Sequence, residues 1–270
     1  TYKGYKTDSN GHFILSQGEY ITYDIQKSSQ VPDIVVCKNV YTNETRHFTD
    51  FEEFVLFALS RNDGYCTFSA HNGAGYDNRL LFEYVAKHHT REISPLMRGT
   101  KIMRLEVGKT TFQDSLLHLP KSLAALAKGF GLSMRKGDFP YLFNTPENIA
   151  LNNGQGYRGP IPAKHFFDGA FSYSDIHAKN AFEAWYTEWQ TSERVWDLTE
   201  EKMAYCINDV EIHSKIMRLY SDGCIDNLKS IVDSEGSPYL VISPWFYATL
   251  AGYAHALNLR HLHAGVDLKT

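Results

Sequence analysis

Polar and apolar residues alternate from Glu19 to Gln26, a period-two pattern that predicts a strand with two different faces. The apolar run from Ile34 to Tyr41 predicts a neighbouring strand. A short strand is expected at Tyr65 to Ala70, and a hairpin is expected from Ile102 to Glu106 and from Thr110 to Gln113. The first half of the chain is therefore predicted to build a sheet.

Apolar residues recur at helical spacing in several other segments. A capping-box pattern of Thr49 and Glu52 predicts a helix from about Asp50 to Arg61. Further helices are predicted at Asn78 to His89, Leu123 to Phe130, Thr199 to Tyr220 with Thr199 as the cap, and Pro244 to Leu257. Strands first, then helices interleaved with strands, predict an α/β fold with a mixed sheet.

Two stretches lack this regularity or carry unusual side chains. The segment from Phe139 to Phe167 holds four prolines and three glycines with little periodicity, and we interpret it as a long ordered loop. Trp185, Trp189 and Trp196 favour a packed helix over a base-stacking platform.

Composition narrows the class of protein. The 270 residues are 43% hydrophobic and 21% charged, which is typical of a globular chain with a full core. No apolar run approaches the roughly 18 residues that cross a bilayer, so no membrane association is expected. The four cysteines have no C-x-x-C spacing, and the chain begins at Thr1 without a signal-like segment. We therefore expect reduced thiols in an intracellular protein.

Charge alone gives a divided answer about nucleic acid. The net charge of −4 argues against a phosphate-binding surface. The stretch from Met97 to Lys136, however, has eight basic residues against two acidic ones. A solvated surface is the simpler explanation unless the chemistry of the chain points to nucleic acid.

Three acidic positions are candidates for chemistry, although each has an ordinary structural explanation. Asp24 and Gln26 lie two apart on a predicted strand and share a face, as a metal-binding D-x-E pair would. Asp77 follows a Gly-rich turn at the start of a helix, where an acid is favoured by the helix dipole. Tyr205 and Asp209 lie four apart on one helix face.

Taken in order, these sites are far more specific than each alone. Together they resemble the three exonuclease motifs of the DEDD class with a tyrosine in the third, as found in family B DNA polymerases. The matching stretches are Tyr23-Asp24-Ile25-Gln26, Asn72-Gly73-Ala74-Gly75-Tyr76-Asp77 and Tyr205-Cys206-Ile207-Asn208-Asp209-Val210. The resemblance covers roughly residues 19 to 219.

Further stretches narrow the resemblance to the protein-primed subgroup. Its S-L-x-x-h and K-x-x-h elements are similar to the segment from Asp114 to Pro120 and to Lys136-Gly137-Asp138-Phe139. An insert found in such polymerases of eukaryotic viruses, linear plasmids and self-replicating transposons is similar to residues 139–144 and 156–162.

The resemblance implies a ribonuclease H-like fold and 3′-to-5′ removal of nucleotides from a single-stranded DNA end by two divalent metal ions. Oxygen ligands suit Mg²⁺ or Mn²⁺. By resemblance, Asp24 bridges both ions, Asp209 holds the first, Asp77 holds the second, and the Tyr205 hydroxyl orients the attacking water.

The same resemblance implies a set of contacts to the substrate. Asn72, Ser115 and Leu116 would position the single strand, and Tyr76 would support the motif or stack near a base. Lys136 would lie near the scissile phosphate. The basic stretch from Met97 to Lys136 would then form the groove for the phosphates.

One position departs from the family. Gln26 stands where the family has a catalytic glutamate, and it offers one neutral carbonyl oxygen and two N–H donors instead of a carboxylate. Glu19 is the nearest upstream acid, and its odd separation from Gln26 puts it on the opposite face of the strand. We expect turnover to be impaired or abolished while DNA binding persists.

The resemblance also sets the expected organisation. No palm motif of a polymerase occurs after Asp209, so this chain cannot polymerise DNA by itself. We predict an exonuclease-like domain at 1–222 with a loop insertion at 139–167. Residues 223–270 are predicted to be a helical extension, a candidate start of a lost or truncated polymerase region.

Two functional hypotheses stay open at this point. The first is a metal-dependent exonuclease impaired by Gln26. The second is an inactive module that binds nucleic acid or scaffolds a protein partner through the 139–167 loop. RNA is an alternative substrate, because discrimination depends on contacts to the ribose 2′-hydroxyl.

Overall fold

The computed structural model describes residues 5–7, 13–15, 19–28, 31–60, 65–134, 137–170, 176–229 and 243–264. The strands are β1 (Tyr5–Thr7), β2 (Phe13–Leu15), β3 (Glu19–Ser28), β4 (Val31–Asn39), β5 (Thr45–Phe48), β6 (Cys66–Ala70), β7 (Ile93–Arg98), β8 (Lys101–Val107), β9 (Thr110–Asp114), β10 (Arg158–Gly159) and β11 (Trp196–Asp197). The helices are α1 (Phe51–Leu59), α2 (Asp77–His88), α3 (Leu123–Gly129), α4 (Pro146–Gly154), α5 (Ile176–Thr191), α6 (Leu198–Lys229) and α7 (Leu250–Ala264).

Seven strands form one mixed sheet in the order β5-β4-β3-β6-β9-β8-β7. The pairs β3–β4, β4–β5, β8–β9 and β7–β8 are antiparallel, whereas β3–β6 and β6–β9 are parallel. The carboxyl ends of β3, β6 and β9 therefore meet at one edge of the sheet. This arrangement confirms the α/β fold class with a mixed sheet that the sequence predicts.

Helices cover both faces of the sheet. Successive side chains along β3 point alternately to the two faces, and both faces carry residues that pack against helices. Tyr23 and Ile25 face a core built with α1 and α2, which contribute residues such as Phe54 and Leu81. The intervening positions face α6, where the Thr22 hydroxyl donates to the Val210 carbonyl at 3.4 Å. Asp24 and Gln26 lie on this second face, because side chains two residues apart on a strand point the same way.

Most of the predicted elements are confirmed, but two helix caps are corrected. Asp50, not Thr49, caps α1, because its side chain accepts the backbone N–H of Glu52. Asp197, not Thr199, caps α6 by accepting the N–H groups of Thr199 and Glu200, each at 3.0 Å. In both helices an aspartate directly precedes the first turn and displaces the predicted cap.

Two strands of the seven-stranded sheet were not predicted, β5 and β7. They are the outer strands of the sheet, and β7 is exposed at every position from Ser94 to Arg98. An edge strand of this kind has no buried face to impose a period-two pattern, which explains why the sequence does not reveal it.

The segment predicted as one long loop is ordered by short elements. Residues 139–167 contain α4 and β10, and α4 is helical only before Leu151, where the backbone leaves the helical region. β10 pairs with β11. Next to it, the aromatic side chains of α5 and its neighbours form a core of their own, made of Phe167, Phe182, Tyr186, Trp189 and Trp196. Trp185 packs against this core from α5, so packing in place of a base-stacking platform is confirmed, but Trp196 lies on β11 and not on the predicted helix.

The predicted boundary between 222 and 223 lies within α6, which continues without a break to Lys229. Beyond it, Trp245 is buried against Tyr220 and His118, with ring centroids 5.1 Å from each. No disulfide joins the four cysteines, all of which lie in the described part of the chain. Among the residues with a described structure, no helix has the length and apolar character needed to cross a bilayer.

Candidate functional site

A cleft of about 380 Å³ opens where β3, β6 and β9 end and α6 crosses them. Its lining residues are Tyr23, Asp24, Gln26, His71, Asn72, Leu116, Ser122, Leu123, Tyr141, Asp209, Val210 and His213. Five of the predicted site residues are in this set: Asp24, Gln26, Asn72, Leu116 and Asp209. The structure thus brings together residues that are separated by up to 185 positions in the sequence.

The motif on β3 contains an internal hydrogen bond. Nε2 of Gln26 donates to Oδ2 of Asp24 at 2.6 Å. A glutamate at this position would present a carboxylate to the same space, whereas the amide presents an N–H group to its neighbour. One oxygen of Asp24 is therefore occupied by a donor from the residue that departs from the family.

Asp77 lies beside this pair at the first turn of α2 and is only 6% exposed. Burial, with the negative charge of Asp24 as a second cause, raises the pKa of Asp77 well above its ordinary value. Its Oδ1 atom has no hydrogen-bond partner among the described residues. A buried carboxylate with an unmatched oxygen, close to a second carboxylate, is an environment that a cation would stabilise.

The third motif lies on α6. Tyr205 is 5% exposed, and its hydroxyl accepts a hydrogen bond of 2.7 Å from the hydroxyl of Tyr141. Burial, reinforced by the charge of Asp209, raises the pKa of Tyr205. Its phenol therefore keeps its proton at neutral pH and can act as a hydrogen-bond donor.

Tyr141 was missed as a site residue because it belongs to the 139–167 insertion. Its ring meets that of Tyr205 edge-on, at 85° and 5.8 Å between centroids, and it lines the cleft. The two tyrosines are 64 positions apart in the sequence, so no local pattern could have paired them.

The donor set fits a divalent cation in part. Asp24, Asp77 and Asp209 supply the hard carboxylate oxygens that Mg²⁺ and Mn²⁺ prefer. Among the residues that the structure describes, however, no three acidic, histidine or cysteine side chains form a complete metal-binding group. One or two carboxylates would hold an ion, and water or phosphate oxygens would complete its shell, which is the usual way in which Mg²⁺ binds.

Asp114, at the end of β9, organises the loop that carries Asn72. Its Oδ1 atom accepts the N–H groups of Asn72 and Leu116, each at 2.8 Å, and Oδ2 accepts the N–H of Ala74 at 3.1 Å. Asn72 has a left-handed backbone with φ of 71°. The family resemblance of the segment from Asp114 to Pro120 assigns Asp114 no role, whereas its burial at the end of β9 indicates one.

Ser115 was predicted to position the strand, but it lies beneath the cleft and is 1% exposed. Its hydroxyl is 3.0 Å from Nδ1 of His71 and 2.8 Å from Nε2 of His213, and both of these histidines line the cleft. Sequence reasoning missed both histidines. The spacing of four residues from Asp209 to His213 on one helix is the signal that was available.

The remaining predicted residues have different placements. Tyr76 is half-buried at the start of α2 outside the lining of the cleft, and burial raises its pKa. Lys136 lies outside the described residues, so its predicted place near the scissile phosphate stays a prediction.

The basic residues of the stretch from Met97 to Lys136 that the structure describes do not all border the cleft, and a groove for the phosphates stays a prediction. Lys109 lies in the turn before β9, at the edge of the sheet opposite the cleft. Arg104 pairs with Glu106 at 2.9 Å and donates to the Phe246 carbonyl at 3.0 Å. Lys121 is the exception, because its carbonyl accepts Nε2 of His71 at 2.8 Å and the residue therefore borders the cleft.

Comparisons with known proteins show which family this chain matches. Residues 59–256 match the family described as DNA polymerase type B, organellar and viral. A probable DNA polymerase from Ascobolus immersus is 28% identical over 207 residues, which are 70% of this chain and 16% of that protein. One from Neurospora intermedia is 26% identical over 191 residues, which are 65% of this chain and 19% of that protein. The chain thus spans less than a fifth of the length of these relatives.

Solved structures give a more distant likeness. A complex of phi29 DNA polymerase with single-stranded DNA has a TM-score of 0.48 and 14% identity, covering 81% of this chain and 36% of that chain. A complex of phi29 DNA polymerase with primer-template DNA has the same TM-score and identity, and the match covers 77% of this chain and 32% of that chain. The family match spans most of the present chain, including Asp77, Tyr205 and Asp209. This chain belongs to the organellar and viral family of type B DNA polymerases.

Proposed function

We propose that this chain is the 3′-to-5′ exonuclease domain of a protein-primed type B DNA polymerase, acting on single-stranded DNA ends and impaired by Gln26. The observation that carries the proposal is the shared cleft. Asp24 and Asp209 line it together with Asn72 and Leu116, while Asp77 lies buried beside Asp24.

The side chains have distinct roles in this proposal. Asp24, Asp77 and Asp209 would hold two divalent ions, Mg²⁺ or Mn²⁺, which when bound supply positive charge to the reacting phosphate. The Tyr205 hydroxyl keeps its proton and orients the attacking water, and Tyr141 fixes that hydroxyl by donating to it. Asn72 and Leu116 hold the strand on a loop whose backbone is fixed by Asp114.

Gln26 weakens this site in two ways. It removes one of four negative charges that would attract the ions, and its amide occupies Oδ2 of Asp24. Loss of an outer partner of a metal site typically costs 10- to 100-fold, so we expect the loss of a ligand to cost at least about 100-fold in rate.

A nuclease assay tests the proposal. The chain with Gln26→Glu, Mn²⁺ and a 5′-labelled single strand should give a ladder that shortens from the 3′ end, and EDTA should abolish it. Gln26→Glu combined with Asp209→Asn, which keeps the side-chain shape, is the matched control and should be inactive. No degradation by the Gln26→Glu protein would refute the exonuclease assignment.

A second candidate is a binding module without turnover, favoured by the Gln26–Asp24 hydrogen bond. It predicts salt-sensitive binding of a single strand by both the unaltered chain and Gln26→Glu, with no cleavage by either. Parallel titrations with DNA and RNA of the same base sequence would identify the preferred sugar. If neither binds, a protein partner at the 139–167 insertion is the remaining candidate.

A further inference from the structure

His213 belongs to the cleft, although none of the roles proposed above uses it. It lies on α6 one turn after Asp209, and it is 3% exposed. Its Nε2 atom is 2.8 Å from Oγ of Ser115. A polar ring on the same helix as Asp209 therefore touches a residue expected to position the strand.

The hydrogen-bond partners of His71, Ser115 and His213 indicate which polar atoms of these side chains carry a hydrogen. The Lys121 carbonyl can only accept, so Nε2 of His71 carries a hydrogen that it donates over 2.8 Å. The Ser115 hydroxyl has two acceptors within reach, Nδ1 of neutral His71 at 3.0 Å and the Ala70 carbonyl at 3.3 Å, and we assign its hydrogen to the shorter contact with His71. The Ser115 oxygen in turn accepts the Nε2 hydrogen of His213.

Burial, with His71 as a second cause, lowers the pKa of His213 well below its ordinary value. The ring is therefore neutral near pH 7 and carries one hydrogen, which the contact with Ser115 places on Nε2. Donors and acceptors run in one direction from His213 through Ser115 and His71 to Lys121, and bonds arranged in this way polarise one another.

This series of hydrogen bonds connects four segments of the protein that meet at the cleft. His213 comes from α6, Ser115 follows β9, His71 follows β6, and Lys121 precedes Ser122, the residue that caps α3. Because Ser115 is buried, it cannot present its hydroxyl to a strand directly, whereas His71 lines the cleft. Any influence of Ser115 on a bound strand must therefore pass through its neighbours.

We propose that His213 is a positioning residue for strand binding, which fixes the Ser115 hydroxyl and, through it, the orientation in which His71 faces the cleft. The inference rests on the proposed binding of a single strand. It predicts that full affinity for the strand requires a hydrogen-bond donor at the Nε2 position of residue 213. A side chain that only fills the space of the ring should not be sufficient.

The experiment measures binding of a fluorescent oligothymidylate to the full chain by anisotropy in EDTA, which prevents cleavage. His213→Leu, which fills similar space without a donor, should weaken binding about tenfold, the effect of losing one buried hydrogen bond. His213→Gln, whose amide can donate from a similar position, should stay within about threefold of the unaltered chain.

Two controls separate positioning from a general loss of structure. Thr110→Val removes a buried hydrogen bond to the Ala58 carbonyl at the far end of β9 and should leave the affinity unchanged. The ¹⁵N signal of His71 Nδ1 should move in His213→Leu and return in His213→Gln. The double variant Ser115→Ala with His213→Leu should bind no more weakly than Ser115→Ala alone.

The outcomes are distinguishable. A folded His213→Leu protein that binds as tightly as the unaltered chain overturns the inference. If that variant does not fold, the Ser115→Ala protein provides the test. Unchanged strand affinity and an unmoved His71 signal in Ser115→Ala would overturn the inference. If the unaltered chain and Gln26→Glu both fail to bind the strand, the proposed function itself is refuted, and this inference with it.

Discussion

The side-chain amide of Gln26 donates to Oδ2 of Asp24 over 2.6 Å, so the residue that departs from the family contacts its motif partner directly. A carboxylate at position 26 could not donate and would repel Asp24 unless a cation lay between them. The amide thus replaces repulsion with attraction. This relationship links the sequence departure to a definite change in the electrostatics of the cleft.

The first prediction concerns metal binding. In EDTA, Gln26→Glu should be less stable than the unaltered chain by on the order of 1 kcal/mol, because it adds a negative charge beside Asp24 and Asp77. Saturating Mn²⁺ should reverse the order, since an ion at 100 times its dissociation constant stabilises a folded protein by about 2.7 kcal/mol. Thermal unfolding of both proteins with and without Mn²⁺ measures this. An equal response of the two proteins would contradict it.

The second prediction concerns Tyr141. In the Gln26→Glu background, Tyr141→Phe should slow cleavage about tenfold while leaving strand affinity within about twofold, because it removes only the hydrogen bond to Tyr205. Tyr157→Phe is the matched control, since the Tyr157 hydroxyl in the same insertion donates to the Pro160 carbonyl at 3.0 Å, within the insertion itself. Equal rates for the two variants would show that Tyr141 does not act on Tyr205.

The third prediction concerns Asp114. Its carboxylate accepts three backbone N–H groups, so Asp114→Asn should lower the free energy of unfolding by about 2 to 3 kcal/mol. Asp222→Asn, which breaks only a half-exposed pair with Arg218, should change it by less than about 0.5 kcal/mol. Urea unfolding measures both values. A loss below 1 kcal/mol for Asp114→Asn would contradict the role of this carboxylate in fixing the loop.

The fourth prediction concerns the pH dependence of stability. The pKa of His213 is lowered in the folded protein, chiefly by burial and further by His71, so between that pKa and about 6.5 the unfolded chain binds the extra proton. The contribution of neutral His213 to the free energy of unfolding is complete above about pH 6.5 and is lost as the pH falls from there toward the lowered pKa. The unaltered chain should therefore lose up to about 1.4 kcal/mol per pH unit more than His213→Gln below pH 6. Parallel slopes for the two proteins would refute this.

Much of the fold could be predicted because its central elements are half-buried. The strand with Asp24 and the helix with Tyr205 and Asp209 have one face in the core and one toward the cleft, and this asymmetry appears as periodicity. The edge strands β5 and β7 lack a buried face and were missed. The caps at Asp50 and Asp197 depend on which of two nearby polar residues directly precedes the first turn, and the sequence pattern does not decide this.

The site residues also divide into those that the sequence predicts and those that it does not. The order of the motifs predicted Asp24, Gln26, Asn72, Leu116 and Asp209, all of which line one cleft. Tyr141, His71 and His213 were missed because their contacts join distant segments, and only the folded chain brings these together.

The most direct test of the exonuclease assignment is a comparison of two rate constants. Removal of the 3′-terminal nucleotide from a 5′-labelled single strand should be followed under single-turnover conditions with Mn²⁺, for the unaltered chain and for Gln26→Glu. A rate at least about 100-fold higher for Gln26→Glu is predicted. Equal rates, whether both fast or both absent, would contradict an exonuclease centre that Gln26 holds in check.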